Sequence, residues 1–510
     1  MLKRIITLIL LTVNLVVLSQ KQVTEFKNAS EKLNNLSVIE NKKTRDVLFL
    51  STDNKNIYGY LFDKDYKLLK QAKIKKDRKY KILLGYKILN NNEYIIYLSN
   101  NNLNQFNRIK FSFESGKHES NKFTLLRDYE TLLQTVSTNN NFYLISTSKA
   151  VNNMYIYTFN FDEKPKRNTI DFSGITFLNH MGKPDRLMNI LVNDDPLAQN
   201  DPLIKYDERF PSDIKTSIEK KKLYIRKDEI LFSLDNYSNE TQLLYINLST
   251  LKTTYKSIKK PLQDVKRNKK LSNSYILNNQ IYTFSSTAKK AEFNIKNIES
   301  DSLLNKAYLS IEDGELRKKG FDKISNLKEA KRFLLHDYTL GINPIKKDSF
   351  FSIELVIGSL KNANAPSTNF GNTSPFNNKV SFLEISKDNI FFDSTQHHFD
   401  TKAEGYFVYN TTNFLLDSNF KEISNSYTQS ITDKINKDFY SKERIWTINK
   451  YYRKKDHLED VIFKSEDSYF FAIYDKKNNS IIQLKFTDKS RYNGRLKFFS
   501  NTMRRLQYYD

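Results

Sequence analysis

The residues best suited to bind a ligand lie around the single tryptophan of the chain. Trp446 is followed closely by Tyr451, Tyr452 and Arg453, and two lysines come next. Aromatic faces stack on sugar rings, and neighbouring cations attract acidic partners. This combination predicts a ligand-binding site at these four residues. The alternative is that Trp446 is an ordinary core residue on a half-buried strand, because tryptophan is largely buried in most proteins.

A second group of candidate residues is acidic. The stretch 193–203 carries Asp194, Asp195 and Asp201, and it contains the sequence Asp-Pro-Leu twice. Clustered carboxylate and amide oxygens are the ligands that calcium prefers, and calcium takes about six to eight of them. The three aspartates are therefore candidate metal ligands, and calcium is the one cofactor that the sequence suggests. The alternative is an acidic turn stiffened by proline, since the glycine-containing EF-hand spacing is absent.

The sequence nominates no catalytic residue. It contains no cysteine, which excludes disulfides, thiolate metal ligands and thiol nucleophiles together. Of the six histidines, His397 and His398 form the one local group. Adjacent residues on a strand point to opposite faces, so these two would not easily share a metal ion. The glycine-rich phosphate loop, the dinucleotide loop and the serine nucleophile elbow are all missing. A glycosidase needs only a pair of carboxylates, so enzymatic activity is unsupported but stays open.

The chain is strongly basic, with 82 lysine and arginine residues against 58 acidic ones and a net charge of +24. Such a charge favours a polyanionic partner. Only 18 of the cations are arginine, however, whereas bidentate phosphate recognition favours arginine. The densest basic run, residues 64–81, predicts an exposed connection between two strands. No motif that reads RNA or DNA is visible, so no nucleic-acid partner is predicted.

Residues 1–20 have the pattern of a secretory signal peptide. Lys3 and Arg4 precede an apolar run over 5–18, and Ser19 follows. The run is shorter than the roughly 20 residues of a transmembrane helix, and an uncleaved anchor is the alternative. The chain has no cysteine, whereas exported eukaryotic domains commonly carry disulfides. We therefore expect export from an AT-rich bacterium to the periplasm, the cell surface or the medium. After cleavage no transmembrane segment is expected. The polar residues 21–44 predict a linker.

Short strands recur along the rest of the chain. Residues 83–99 and 132–148 superpose without gaps, and each has the pattern of a strand, an asparagine turn and a second strand. Four further strand pairs share this pattern less clearly, at 46–60, 228–246, 279–295 and 467–484. A period of about 47–51 residues with three or four strands is the spacing of a propeller blade. With only 12 glycines available, we expect asparagine to take turn positions of positive φ.

The sequence therefore predicts an all-β protein in which residues 45–510 form a β-propeller of about seven blades, with six to eight allowed. The alternatives are tandem β-sandwiches or a β-helix, because strand periodicity does not fix topology. Three stretches interrupt the period and predict irregular insertions near 180–215, 302–345 and 361–378. The residues 302–336 also have a partly helical pattern.

These features together predict a non-enzymatic exported binding or scaffold protein. Its partner would be an anionic extracellular polymer or an envelope protein, because a rigid repeat scaffold with long loops suits recognition. The cations would add steering and a salt-dependent attraction. The alternative is a propeller-type polysaccharide hydrolase or lyase, which would carry a carboxylate pair in a central channel.

Overall fold

The computed structural model contains 32 β-strands in the residues that it describes, which confirms the all-β class. Two short helical turns are also present, at Asn189–Asn193 and Arg267–Lys269. The described residues are 20–30, 33, 35–138, 141–161, 163–193, 203–206, 208, 217–287, 290–312, 315–317, 338–347, 350–362, 396–397, 405–421, 460–466, 468–475 and 478–486.

Seven sheets of three or more strands can be followed in the described residues, and we number them blades 1 to 7. The first strand, β1 (Gln20–Lys27), belongs to blade 7. Blade 1 consists of β2 (Asn35–Glu40), β3 (Val47–Thr52), β4 (Asn56–Phe62) and β5 (Leu68–Lys75). Blade 2 consists of β6 (Ile82–Ile88), β7 (Glu93–Ser99), β8 (Gln105–Ser112) and β9 (His118–Thr124). Blade 3 consists of β10 (Glu130–Ser137), β11 (Phe142–Ser148), β12 (Asn153–Thr158) and β13 (Lys166–Asp171).

The second half of the chain forms larger and less regular sheets. A small hairpin, β14 (Phe177–Leu178) and β15 (Pro184–Asp185), precedes them. Blade 4 consists of β16 (Leu203–Tyr206), β17 (Lys221–Arg226), β18 (Glu229–Leu234), β19 (Glu240–Asn247) and β20 (Thr253–Lys259). Blade 5 consists of β21 (Leu271–Leu277), β22 (Gln280–Ser286), β23 (Lys290–Asn297), β24 (Leu303–Glu312) and β25 (Glu315–Arg317). Blade 6 consists of β26 (Tyr338–Lys347), β27 (Phe350–Asn362) and β29 (Gly405–Asp417). Blade 7 combines β1 with β28 (Gln396–His397), β30 (Asp460–Ser465), β31 (Ser468–Asp475) and β32 (Ser480–Phe486).

Apolar clusters fill the spaces between consecutive blades. Five clusters join blades 7 and 1, blades 1 and 2, blades 2 and 3, blades 3 and 4, and blades 4 to 6. Alternate residues of one strand serve two interfaces: Met154 and Ile156 of β12 pack toward blade 4, whereas Tyr155 and Tyr157 pack toward blade 2. A series of such interfaces is the architecture of a β-propeller, here with seven blades in the described part of the chain.

The first strand of the chain completes the last blade. β1 pairs antiparallel with β32 and forms the outer edge of blade 7. On β1, Phe26 also contacts three aromatic rings of blade 1 at centroid distances from 4.9 to 5.5 Å, those of Phe49, Tyr60 and Phe62. The two ends of the described chain thus meet in one sheet. Tandem sandwiches do not produce this arrangement, and a β-helix needs parallel pairing, whereas β16–β17 is the one parallel pair among the described strands.

The prediction of a polar linker at 21–44 is wrong. This interval holds most of β1 and all of β2, and β2 pairs with β3 along its whole length. The polar residues of β1 are interspersed with Val23 and Phe26, which pack against the cluster between blades 7 and 1. An outermost strand exposes many of its side chains, so its composition resembles that of a linker.

The 49-residue repeat in the sequence corresponds to a structural repeat. Leu83 of β6 and Leu132 of β10 occupy equivalent places, and the strand pairing is shifted by a bulge immediately after each of them. These two segments form the first hairpins of blades 2 and 3. The four weaker segments form a later hairpin of their blades. In blade 1, for example, 46–60 holds β3 and β4, the second and third strands. Inner strands share one apolar alternation, so the sequence pattern could not distinguish the two hairpins.

Asparagine seldom takes the position of positive φ in these turns, contrary to our expectation. Ten described non-glycine residues have positive φ, and two of them, Asn278 and Asn479, are asparagine. At Asn247 and Asn297 the side-chain oxygen instead accepts the backbone N–H groups two and three residues later. Short polar side chains therefore hold these turns by satisfying backbone donors.

The predicted insertions lie partly outside the described residues. The interval 180–215 contains β15, a helical turn and β16, and β16 joins blade 4 in parallel. Within 302–345, β24 and β25 span 303–312 and 315–317, while 318–337, which hold the predicted helical run, lie outside the described residues. The interval 361–378 also lies outside the described residues beyond Asn362.

Gly85 lies where blades 2 and 3 approach each other closely. A Cβ atom at Gly85 would lie 2.3 Å from Ser137 Oγ and 2.7 Å from the ring of Phe142. Ser137 Oγ accepts the N–H of Tyr86 at 3.1 Å, which restrains it. We expect Gly85→Ala to lower the free energy of unfolding by about 1–3 kcal/mol through overpacking. Urea denaturation measures this effect.

The matched control is Gly174→Ala, because no neighbouring atom lies within 4 Å of a Cβ atom placed at Gly174. This variant should unfold at nearly the wild-type urea concentration. Equal midpoints for the two alanine variants would contradict the close approach of blades 2 and 3 at Gly85.

Candidate functional site

The binding and metal residues predicted from the sequence lie outside the described part of the structure. This applies to the aromatic and basic group, Trp446, Tyr451, Tyr452 and Arg453. It applies equally to the acidic group, Asp194, Asp195 and Asp201. Both sites, and calcium as a cofactor, therefore stay predictions. Within the described residues, no group of three or more histidine, aspartate or glutamate side chains could hold a metal ion.

A fully buried ionic cluster lies between blades 4 and 5. Asp235 follows β18, and its carboxylate lies 2.9 Å from Lys260 Nζ and 3.3 Å from Lys222 Nζ. All three side chains have no solvent exposure. The hydroxyls of Thr241 and Ser274 donate to the same carboxylate, each at 2.7 Å. The cluster thus links β17, β18, β19 and β21 through one aspartate.

The balance of forces at Asp235 keeps the carboxylate ionised. Burial by itself raises the pKa of Asp235, but the ammonium groups of Lys260 and Lys222 and the hydrogen bonds outweigh it, and the pKa lies well below its usual range. Lys222 Nζ also donates to Asn273 Oδ1 at 2.7 Å. The Asn273 side-chain amide in turn donates to the carbonyl of Leu340 in blade 6. The cluster is closed to solvent and joins three blades, so its arrangement suits structural cross-linking.

Next to this cluster, the interface between blades 4 and 5 opens into a groove of about 690 Å³, which we call the lysine groove. Its walls are the segment 259–264, which follows β20, together with parts of β23 and β24. Five lysines line it: Lys259, Lys260, Lys290, Lys296 and Lys306. Two carboxylates also line it, those of Asp264 and Glu292. Lys260, however, lies in the closed cluster with Asp235, so four of these lysines face two lining carboxylates, and Lys296 also pairs with Asp301 at 3.1 Å.

The alternation of β23 creates the polar wall of the lysine groove. Ala291, Phe293 and Ile295 belong to the apolar core of blades 4 to 6. The intervening residues Glu292 and Asn294 project to the opposite face and line the groove, although they are only 7% and 8% exposed. Two buried polar residues thus occupy this face of β23.

A buried lysine fixes the opposite wall. Lys270 Nζ donates to the carbonyls of Pro261 and Leu262 at 3.1 and 2.9 Å. Burial, aided by repulsion from Lys260, lowers the pKa of Lys270 to about 8. Leu262 itself has a φ of 58°, so the segment turns sharply where it meets the groove. The backbone of this wall is therefore held by a side chain that lies behind it.

The ion pairs along the lysine groove leave its charge accessible to a ligand. Lys290 pairs with Asp264 at 3.0 Å, and these side chains are 51% and 71% exposed. Lys306 pairs with Glu292 at 2.9 Å near the groove floor. The Lys290–Asp264 pair is exposed and contributes little stability, so an incoming anion can replace Asp264 at low cost. Lys259 is exposed at the end of β20 and adds a further cation.

The floor of the lysine groove carries an unsatisfied acceptor. Asn294 Nδ2 donates to Glu292 Oε1 at 3.3 Å. Because a carboxylate accepts and cannot donate when ionised, this contact fixes the orientation of the amide. Asn294 Oδ1 is buried and has no hydrogen-bond partner among the described residues. The groove thus has cations at its rim and a buried, unsatisfied acceptor beneath its floor.

Sequence analysis did not find this site. Its lysines are spread over residues 259–306 in a chain where lysine is common everywhere. The available signal was the strand 290–297, where polar residues alternate with apolar ones. The same alternation is typical of any half-exposed strand, so the pattern could not show that Glu292 and Asn294 are buried.

Comparison with known proteins gives structural similarity alone. No protein-family model matches the chain, and no curated protein sequence matches it. The WD40 domain of SCAP from fission yeast is similar at 8% identity and a TM-score of 0.27, over 92% of this chain and 99% of that one. The β-propeller domain of Nup133 from Vanderwaltozyma polyspora is similar at 14% identity and a TM-score of 0.28, over 66% of this chain and 83% of that one. At such TM-scores neither likeness carries an argument, and the propeller assignment depends on the blade order and the closure by β1.

Proposed function

We propose that this protein is a non-enzymatic binding or scaffold propeller that holds an anionic extracellular polymer in the lysine groove. The observation that carries the proposal is the excess of lysine over carboxylate along one groove between two rigid blades. A concave site in which one sign of charge predominates focuses its electrostatic potential and attracts the opposite charge. The propeller supplies the rigid frame, since β20 and β23 belong to continuous sheets on either side of the groove.

The shape of the lysine groove favours a flexible polymer over the folded surface of an envelope protein. Its volume of about 690 Å³ lies in the range of sites that enclose small molecules or single segments of a chain. A convex protein surface would reach the exposed Lys259 and Lys290 but would not fill the groove down to Asn294. A narrow polymer can contact the rim and the floor at once.

The proposed location is outside the inner membrane of a bacterium. Removal of the predicted signal peptide, residues 1–20, would leave all of β1 except its first residue, because β1 spans Gln20–Lys27. A mature chain produced in this way would keep the strand that closes blade 7. In the described residues, no helix is both long and apolar enough to cross a membrane.

The proposal is tested by removing three groove charges together. We expect the Lys259→Gln, Lys290→Gln, Lys306→Gln variant to bind polygalacturonate at least about tenfold more weakly at low salt, since 1.4 kcal/mol corresponds to a factor of ten. Isothermal titration calorimetry measures the affinity. Binding by the wild-type protein should weaken steeply toward about 1 M salt, where the Debye length is about 3 Å.

The matched control removes the same charge from the densest basic run. Residues 64–81 were predicted as an exposed connection. Most of the run is exposed, but it contains β5, the outermost strand of blade 1, and Ile74, Lys76 and Tyr80 are buried. The control replaces three exposed lysines there with glutamine: Lys64, Lys75 and Lys79. It should bind within about twofold of the wild type, well inside the tenfold loss expected for the groove variant.

Three outcomes would contradict the proposal. Equal loss in both triple variants would show that net charge, rather than the lysine groove, holds the polymer. Shortening of polygalacturonate by the wild-type protein would favour the hydrolase or lyase alternative. Binding of an acidic protein with no binding of any polymer would point to an envelope-protein partner instead.

A further inference from the structure

We propose a second anion-binding site, at the junction of blades 2 and 3. It consists of Arg127, Tyr129 and Arg167, and we call it the arginine–tyrosine site. Arg127 and Tyr129 lie in the connection between β9 and β10, and Arg167 lies on β13. The ligand is one phosphate or sulfate group, either free or carried on a larger molecule. This inference goes beyond the proposed function, because the site shares no residue with the lysine groove.

Two guanidinium groups converge on one oxygen atom at the arginine–tyrosine site. Arg127 Nη1 donates to the Tyr129 hydroxyl at 2.8 Å, and Arg167 Nη2 donates to the same oxygen at 3.1 Å. Like charges held so close together repel each other, and an anion that accepts from both removes this repulsion. Donors that meet at one point suit a tetrahedral oxoanion, which offers acceptor oxygens in several directions.

All three side chains of the site reach the solvent. Arg127 is exposed, Tyr129 is 37% exposed, and the Arg167 side chain is 21% exposed. In the described part of the chain, Arg127 pairs with no carboxylate, and its side chain donates to the Tyr129 hydroxyl alone. A guanidinium carries five N–H donors in a planar fork, so Arg127 has donors left for a ligand.

The Arg167 guanidinium is fixed from behind by buried groups. Its central carbon lies 3.7 Å from the centre of the Tyr155 ring. Arg167 Nη2 lies 3.0 Å from Glu130 Oε1, and the Glu130 side chain has no solvent exposure. Glu130 Oε2 accepts in turn from the hydroxyls of Ser146 and Tyr157, at 2.9 and 2.7 Å. The guanidinium is thus oriented before a ligand arrives, which lowers the entropy cost of binding.

The charges around the site leave a positive excess for a ligand. Glu130 compensates the charge of Arg167, but it does not pair with Arg127. Lys149 adds a further cation, because its Nζ donates to the carbonyl of Asp128 at 3.0 Å and so lies beside the same connection. Three cations thus face two carboxylates, those of Glu130 and Asp128, and Glu130 is buried beneath its partner.

The residue type at this site is not a consequence of composition. Arginine is the less common cation, with 18 of the 82 basic residues of the chain. The abundance of lysine therefore does not explain two arginines at one hydroxyl. A guanidinium fork matches the oxygens of phosphate bidentately, whereas an ammonium group acts as a point charge. The residue type and the convergence of the donors indicate the same class of ligand.

The test follows the arginine side chains by NMR in the full-length protein carrying isotope-labelled arginine. Inorganic phosphate is added at constant ionic strength, with chloride as the balancing anion. We expect the Nε–H signals of Arg127 and Arg167 to shift together and to saturate with a Kd of the order of 1 mM. The Arg127→Lys variant keeps the charge but loses the fork, so it should weaken the phosphate response of Arg167 at least about fivefold. Its thermal midpoint should stay unchanged, whereas a merely structural role of Arg127 predicts a lower midpoint.

Arg78 is the matched control in the same spectra, because it is an exposed arginine in the densest basic run. Its signal should not saturate with phosphate, and Arg78→Lys should leave the response of Arg167 unchanged. Polyphosphate at the same concentration of phosphate groups then identifies the source of the ligand. Much tighter binding than that of inorganic phosphate would indicate a group on a larger molecule, and equal binding would indicate the free ion. Both results support the site.

Two results would overturn the inference. Equal shifts of Arg127 and Arg78 that do not saturate would show an adventitious ion only. An unchanged response of Arg167 in Arg127→Lys would show that the two guanidinium groups do not share a ligand. The triple glutamine variant of the lysine groove should keep the wild-type response to phosphate, and loss of that response would assign the phosphate to the groove instead. The outcome is therefore distinguishable from that of the polymer test of the proposed function.

Discussion

Replacing Asp235 with asparagine should lower the free energy of unfolding by about 3–5 kcal/mol, because it removes the counter-charge of the buried Lys260. Lys222 and Lys260 have no solvent exposure, so water cannot replace the lost carboxylate. Asparagine can keep part of the hydrogen bonding from Thr241 and Ser274, which makes charge the main difference. Urea denaturation at neutral pH measures the loss.

The pH dependence identifies the cause. The pKa of Asp235 is depressed in the folded state, so its stabilisation is fully present above the unfolded pKa near 4 and is lost as the pH falls further toward the folded value. The difference in free energy of unfolding between the wild type and Asp235→Asn should therefore become smaller below about pH 4.

Replacing all three charged residues, Asp235, Lys222 and Lys260, with apolar ones should lower the free energy of unfolding less than Asp235→Asn alone. Asp264→Asn, at an exposed ion pair, should change stability little. A gap that stays constant down to pH 2 would contradict the ionic account.

Removal of β1 should have the other large effect. A chain that begins at Asn28 lacks the strand that pairs with β32 and covers part of the cluster between blades 7 and 1. We expect it to lose about 3 kcal/mol or more, because the partly buried Val23 and Phe26 contribute a share of the roughly 1.5–3 kcal/mol of a fully buried apolar side chain and the edge hydrogen bonds are lost as well. The exposed edge of β32 should also promote aggregation. Thermal unfolding followed by circular dichroism measures the change.

The control is a chain that begins at Gln20, where β1 starts. It should unfold cooperatively, as the full chain does, since it keeps every residue of the shared sheet. Equal stability of the chains beginning at Gln20 and at Asn28 would show that β1 does not close the propeller.

The sequence was most informative where strands alternate regularly. The superposition of 83–99 on 132–148 located two equivalent hairpins, and the bulges after Leu83 and Leu132 confirm their equivalence. It failed at β1, where an outer strand exposes enough polar residues to resemble a linker. Local composition does not reveal which partner strand a segment will meet.

The candidate site illustrates the same limit more strongly. Trp446 was chosen because tryptophan is rare in this chain, whereas the lysine groove is made of the commonest residue types. What distinguishes Glu292 and Asn294 is burial, which depends on the adjacent blade and not on β23 itself. Asp235 was equally hidden, since a polar residue after a strand usually marks a turn. Only the packing of blades 4 and 5 brings these residues together.

Zero-length cross-linking tests the central claim most directly. A carbodiimide joins a polymer carboxylate to a lysine amine in contact with it, and peptide mass spectrometry then locates the adducts. With polygalacturonate on the wild-type protein, we predict adducts concentrated on Lys259, Lys290 and Lys306 of the lysine groove. Adducts spread evenly over the surface, with residues 64–81 labelled as heavily as the groove, would contradict the account.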